Sequence, residues 1–277
     1  MKKDTIEIIY QDNDIIVINK PAGISVTKDR SGRPQLIDFL IQQIGDEATS
    51  HLRLVHRLDK ETSGVMILAR NKSSQKTFAD YFYQRKVKKT YLALVNGYVP
   101  QATGVIDAPI GHSKKNPELM VIDQKHGKQS ITEWRLLADF GKLSLIAANP
   151  LTGRTHQIRV HLASIGLPLA IDPLYGNSEP LMLSEFKKDY RLGKFQDEKP
   201  LIDRLTLHAY QISFPDASVI ASGTNEVSEA RQSHFFLAPL DKKFQTTIKM
   251  LTKYNKKGPA AFFDPADLEK ILNSQPF

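Results

Sequence analysis

The chain has no cysteine, which excludes disulfide staples, thiolate metal sites and thiol redox chemistry together. No apolar run approaches the roughly 20 residues of a membrane span, so no transmembrane helix is expected. Met1-Lys2-Lys3 leads into Asp4 and Glu7 without a long apolar stretch, so no secretory leader is expected either. A phosphate-cradling glycine loop is missing, and so is a His-x-x-x-His ligand pair, although His51, His56, His156 and His161 are present. There is no internal repeat and no long proline- or glycine-rich linker. These absences point to a cytoplasmic protein, and they leave no evident thiolate, paired-histidine or phosphate-loop site.

Acidic residues are the minority among the charges: 30 Asp and Glu stand against 38 Lys and Arg, for a formal charge of +8 and a pI near 9.4. That balance favours a polyanionic partner, with nucleic acid first. The 277 residues suffice for one large domain or two small ones, and the lack of a linker favours one.

Ile6 to Tyr10 and Ile15 to Asn19 read as strands joined by a tight turn at Gln11-Asp12-Asn13-Asp14. Leu36, Phe39 and Leu40 lie on one helical face, and Val65 to Ala69 has the β-branching and length of a buried strand. A helix is expected over Ser73 to Tyr83 with Phe78 and Phe82 inward, then a strand from Tyr91 to Val95. Residues 104–148 read as an antiparallel meander. From Thr155 the pattern turns helical, with Ile158, Leu162 and Ile165 on one face and Arg154, Gln157 and His161 on the other. Residues 184–199 are charge-rich and read as a solvated insertion.

The segment His56-Arg57-Leu58-Asp59-Lys60-Glu61-Thr62-Ser63-Gly64 sets one carboxylate among basic residues just before the candidate buried strand. Positive neighbours favour the charged form, and a charged carboxylate can attack a sugar carbon. A surface ion pair would use the same residues without chemistry.

The nonapeptide resembles the HRLD-x-x-TSG signature of RluA-type pseudouridine synthases. A second block, Leu151-Thr152-Gly153-Arg154-Thr155-His156-Gln157-Ile158-Arg159-Val160-His161-Leu162, is similar to the family's TGRTHQIR-VHL motif, and Gly166-x-Pro168 and Asp172-x-x-Tyr175-Gly176 follow it. Asn19-Lys20-Pro21-Ala22-Gly23, Lys88-Lys89-Thr90-Tyr91 and Leu207-His208-Ala209 match further family elements. Leu167 stands where relatives often carry His, and Ala170-Ile171 where a Gly is common.

The resemblance implies an α+β pseudouridine synthase fold, a mixed and largely antiparallel sheet with flanking helices and a central RNA-binding cleft. One catalytic domain over 1–277 is expected, with its core over about 8–240, a C-terminal extension over about 241–277 and no separate N-terminal RNA-binding module. The implied reaction isomerises uridines of structured RNA, tRNA or large-subunit rRNA, by breaking the N-glycosidic bond, turning the uracil and rejoining its C5 to the same ribose carbon. No atoms are gained or lost, so the implied reaction needs no redox cofactor, no group donor and no metal.

By the same resemblance Asp59 acts on the ribose, either at the anomeric carbon or on the 2′ proton by a glycal route, and the sequence leaves both open. Arg159 is its expected cationic partner, and Tyr91, the third catalytic candidate, lies against the uracil and assists removal of the C5 proton. Arg57, His56, Arg154, Lys86, Lys88 and Lys89 are the expected RNA-facing residues, with Arg57 suited to stacking where a base has left the helix. Two other readings fit the same residues: a noncatalytic RNA-binding or ribosome-assembly protein, and a nucleoside glycosidase.

Overall fold

The computed structural model describes residues 5–27, 32–45, 49, 51–191, 193, 197–215 and 233–254. By contact they fall into two compact units: Met1–Thr90 with Ala209–Pro239, and Tyr91–His208 with Leu240–Phe277.

In the first unit, β1 (Glu7–Gln11) and β2 (Ile15–Lys20) form the expected hairpin, with a register shift between Ile8 and Tyr10. Asp12 makes the turn: its Oδ1 accepts the N–H groups of Asp14 and Ile15 at 2.7 and 2.8 Å. Strand β3 is Arg53–Leu54 and β4 is Ser63–Ala69; β4 pairs antiparallel with both β2 and β3. All seven residues of β4 are buried, so this short apolar run is covered on both faces.

Gly64 has a specific packing role. Its φ is +118°, and a Cβ there would lie 2.1 Å from the carbonyl oxygen of Ala209. Ala209 belongs to β11 (Leu207–Pro215), which follows β4 in the order β1-β2-β4-β11; β12 (Ser233–Leu237) adds to β11. Helix α1 (Leu36–Ile44) buries Leu36 and Leu40. Helix α2 (Lys72–Tyr83) is capped by Asn71, whose side chain accepts the Ser74 N–H at 2.8 Å. Its inner face holds Phe78 and Tyr81, while Phe82, expected inward, is only half-buried.

The second unit is built on β5 (Lys88–Asn96), β6 (Thr103–Asp107), β9 (Ile131–Asp139) and β10 (Leu143–Pro150), in the antiparallel order β5-β10-β9-β6. The expected meander is present. However, β7 (Ile110–His112) and β8 (Met120–Ile122) leave it to form a two-stranded ribbon of their own. Each of these pairings is antiparallel, and the α+β class holds.

Helix α3 (Gln157–Ser164) differs from its expected amphipathic form. Ile158 and Leu162 are buried as expected, but Ile165 is 43% exposed, and Gln157, Arg159 and His161 are buried too. A polar side chain survives inside when its hydrogen bonds are made there. Gln157 accepts from the Thr152 hydroxyl and the Arg154 N–H, and donates to Ile131 O and Thr132 Oγ1. His161 bridges Thr132 Oγ1 and Ala108 O. Gln157 and His161, which the sequence pattern places opposite the apolar face, are the bolts that hold α3 to β9 and to the residue that follows β6.

Helix α4 (Lys242–Tyr254) closes the described chain, burying Phe244, Thr247, Ile248 and Leu251, with Asp241 accepting the Phe244 N–H at its start. Of the extension expected over about 241–277, residues 255–277 lie outside the described residues. Within 184–199 no described residue is buried, and the segment's base is tied by backbone hydrogen bonds between Leu181 and Leu201-Ile202.

Candidate functional site

Asp59 heads a turn. Its carbonyl accepts the Thr62 N–H at 3.1 Å, and the chain then enters β4 through buried Thr62 and Ser63. Leu58 on the other side is 4% exposed, so the half-buried Asp59 is gripped between buried segments. Arg57, at the preceding alternate position, is exposed.

A residue without an assigned role in the sequence fixes the same turn. Lys20 is fully buried, and its ammonium donates to the carbonyls of Pro21, Ile24 and Lys60 at 2.9, 2.9 and 3.0 Å. The Gly23 N–H donates to the Lys60 carbonyl as well, at 2.9 Å. The Asn19-to-Gly23 motif and the Asp59 motif are thus one piece of structure, stitched at Lys60. Lys20-Pro21 beside Gly23 suggests a rigid turn in the sequence; a buried cation reaching 40 residues along the chain has no local sequence signal.

His56 is turned inward. Its Nε2 accepts the Ile67 N–H from β4 at 2.9 Å, which requires a neutral ring with its proton on Nδ1. Burial, with a smaller push from the Lys89 charge, drives its pKa down to about 3. His56 therefore adds no positive charge beside Asp59 at neutral pH. Its ring lies 5.0 Å from that of Phe82, and the Lys89 ammonium sits 6.0 Å from the same ring. Burial brings Lys89 down to about 8, so it stays largely charged at neutral pH. Lys86 and Lys88 are exposed.

In the second unit Arg159 is cradled. Nε and Nη2 donate to the two carboxylate oxygens of Asp172 at 2.8 and 2.7 Å, a fork-to-fork pair with both partners buried. Asp172 is itself fixed by the N–H groups of Leu174 and Tyr175. The Tyr175 ring covers the guanidinium at 5.0 Å, and its hydroxyl accepts the Met120 N–H and meets His156 Nδ1, both at 2.8 Å. His156 takes a left-handed conformation, φ 55°, to begin α3, a strained state costing on the order of 1–3 kcal/mol in a non-glycine residue. The Asp172-x-x-Tyr175 element, carrying no role in the sequence reading, is what holds Arg159; its spacing puts carboxylate and ring in one turn.

Arg154 is exposed and its Nε donates to Gln129 O at 3.2 Å. Tyr91 is half-buried on β5, opposite Ala148 of β10 and packed on the core of the second unit. The candidate residues thus divide: Asp59, Arg57, His56, Lys86, Lys88 and Lys89 in the first unit, Tyr91, Arg154 and Arg159 in the second. Among the described residues no group of three or more His, Asp or Glu is placed to hold a metal ion.

A model of the RNA pseudouridylate synthase family matches residues 14–164, which contain both the Asp59 turn and the Arg159 helix. The chain belongs to that family. It is 36% identical over 246 residues to ribosomal large subunit pseudouridine synthase C of Buchnera aphidicola, covering 88% of this chain and 70% of that one. To ribosomal large subunit pseudouridine synthase D of Borreliella burgdorferi it is 37% identical over 202 residues, covering 68% of this chain and 62% of that one. Among solved structures it is similar to human RNA pseudouridylate synthase domain containing 1, with TM-score 0.68, 23% identity and coverage of 100% and 98% of the two chains. That likeness shows the pseudouridine synthase fold.

Proposed function

We propose that this family member isomerises specific uridines of large-subunit rRNA to pseudouridine, with Asp59 acting on the ribose. Supporting this is one observation above others: Asp59 stands on a turn clamped by a buried lysine and feeding an entirely buried strand, the kind of rigid mount a reacting side chain needs. Arg159 is the cationic partner of that carboxylate in the working enzyme, Tyr91 lies against the uracil, and the core of about 8–240 is one catalytic domain. Arg57, Arg154, Lys86, Lys88 and Lys89 face RNA, and His56 serves that surface by anchoring the motif to β4. The relatives named for the ribosomal large subunit favour rRNA over tRNA, and with it the cytoplasm.

The target base must leave its stack before its glycosidic bond meets a carboxylate, at a cost of a few kcal/mol; in this reading Arg57, exposed and two residues from Asp59, fills the vacated space. Bond breaking then needs the fixed carboxylate in one of two roles: it captures or stabilises an oxocarbenium-like anomeric carbon, or it takes the 2′ proton to leave a neutral glycal.

The deciding experiment maps pseudouridine across rRNA and tRNA from a deletion strain complemented with wild type or Asp59→Asn. Wild type is expected to restore pseudouridine at a defined large-subunit site and Asp59→Asn to restore none. Equal restoration by both proteins would take the chemistry away from Asp59, restoration by neither would favour a noncatalytic RNA-binding protein, free uracil would mark a glycosidase, and signal confined to tRNA would change the substrate.

A further inference from the structure

The β7–β8 ribbon belongs to none of the motifs, yet it is mounted directly on the helix that carries Arg159. Each strand has only three residues, and a two-stranded hairpin alone is marginal in water. Its support comes from Ile110 and Met120 packing on Val160 of α3, with Ile122 and Tyr175 against them. Backbone hydrogen bonds in both directions between Ile110 and Lys128 add to it, as does the Met120 N–H on the Tyr175 hydroxyl.

The surface of this ribbon is cationic and held in fixed turns. Lys114, Lys115, Lys125 and Lys128 are all exposed. Ser113 Oγ accepts the N–H groups of Lys115 and Asn116 and orders the tip. Asp123 Oδ1 accepts those of Lys125 and His126 and orders the flank. Asp123 and Glu118 are the only acids from 110 to 130, and the Asp123 carboxylate is already engaged by that turn. At the base, the Arg154 bond to Gln129 O continues the cationic stripe from Lys128 toward α3. A protein partner would want an apolar anchor, but the ribbon's one exposed large hydrophobic side chain is Val121, at 37%.

We propose that the β7–β8 ribbon and its flanking turn form an RNA-backbone-binding arm, in which Lys114, Lys115, Lys125 and Lys128, continued by Arg154, bind phosphates. The inference rests on the RNA-modifying reading and deepens it. Lysines of this kind act as point charges on phosphate and carry no base information, so the arm supplies affinity and orientation without choosing the uridine.

The test compares the fourfold Lys→Gln variant at 114, 115, 125 and 128 with a control of equal charge loss, Lys→Gln at 72, 76, 242 and 249, all exposed helix positions. The readouts are the dissociation constant for a large-subunit rRNA transcript across a KCl series, and KM against kcat for pseudouridine formation. Every phosphate that no longer meets a lysine lowers the slope of log K against log salt by about 0.7–0.9. The ribbon variant is expected to lose at least about two units of slope and on the order of tenfold in affinity, with the loss falling on KM. The control is expected to stay near wild type. A ribbon variant indistinguishable from the control overturns the arm while leaving the enzyme reading intact. Ribbon-dependent RNA binding by a wild-type protein that forms no pseudouridine would keep the arm and overturn the enzyme reading.

Discussion

Arg159 and Asp172 show why deleting a single side chain is a blunt test of this site. Both are buried and paired through two hydrogen bonds, so removing either leaves the other charged and enclosed, a loss of about 3–5 kcal/mol. Asp172→Ala is therefore expected to lower stability by that amount and to abolish turnover by releasing Arg159. The paired variant Arg159→Met with Asp172→Asn is expected to recover most of the stability and none of the activity. Urea unfolding beside pseudouridine formation checks both, and recovered activity in the pair would remove Arg159 from the chemistry.

His56 makes a residue-scale prediction with a sign. Its folded pKa, about 3, lies below the ordinary value of 6.5, so as pH falls below 6.5 the unfolded chain takes a proton that the folded chain refuses. The His56 contribution to stability is whole above pH 6.5 and drains away as pH falls toward 3, at no more than about 1.4 kcal/mol per pH unit. His56→Gln cannot titrate. The gap in urea midpoint between wild type and this variant is expected to shrink from about pH 7 to about pH 4.5, a window inside that titration range; a constant gap would mean that the ring takes up its proton in the fold as readily as in the unfolded chain.

At the scale of elements, the Asp59 turn depends on contacts made by neighbouring segments. Gly64→Ala drives a methyl group into the β11 backbone, where no flexible side chain can yield, and is expected to separate β4 from β11 with a loss of more than about 3 kcal/mol, well above a typical substitution. Lys20→Met leaves the carbonyls of Pro21, Ile24 and Lys60 without the ammonium, each unmade bond costing about 1–3 kcal/mol. Amide exchange is expected to rise at Gly23 and Thr62 first. The 184–199 segment behaves oppositely: with its base tied at Leu181 and Ile202 and no described residue buried, a short Gly-Ser replacement is expected to leave the melting temperature within a few degrees. A large drop would show that the insertion packs on the fold.

For the whole molecule, the excess of cations ties stability to the polyanion it binds. A ligand that binds only the folded state at about 100 times its dissociation constant adds about 2.7 kcal/mol, and phosphate contacts weaken steeply with salt. Saturating rRNA is expected to raise the melting temperature at about 50 mM KCl and to lose most of that effect by about 300 mM. An increment independent of salt would exclude a phosphate-dominated contact.

Periodicity and local chemistry settled the β1–β2 hairpin, the buried run of β4 and the helix over about 73–83, because strand alternation, turn residues and helical spacing are written within a few positions of one another. The motifs similarly marked Asp59 and Arg159 as candidate residues. The Phe244, Ile248 and Leu251 spacing of α4 is equally local, yet only an extension, and no helix, is expected there from the sequence. Only the tertiary structure decided that Lys20 ends on Lys60, that His56 is neutral and inward, and that Gln157 and His161 of α3 are buried bolts. Burial is set by which distant strands arrive around a side chain. A polar residue satisfied by such remote partners, as Lys20 is by Lys60, looks in its own sequence neighbourhood like one facing water.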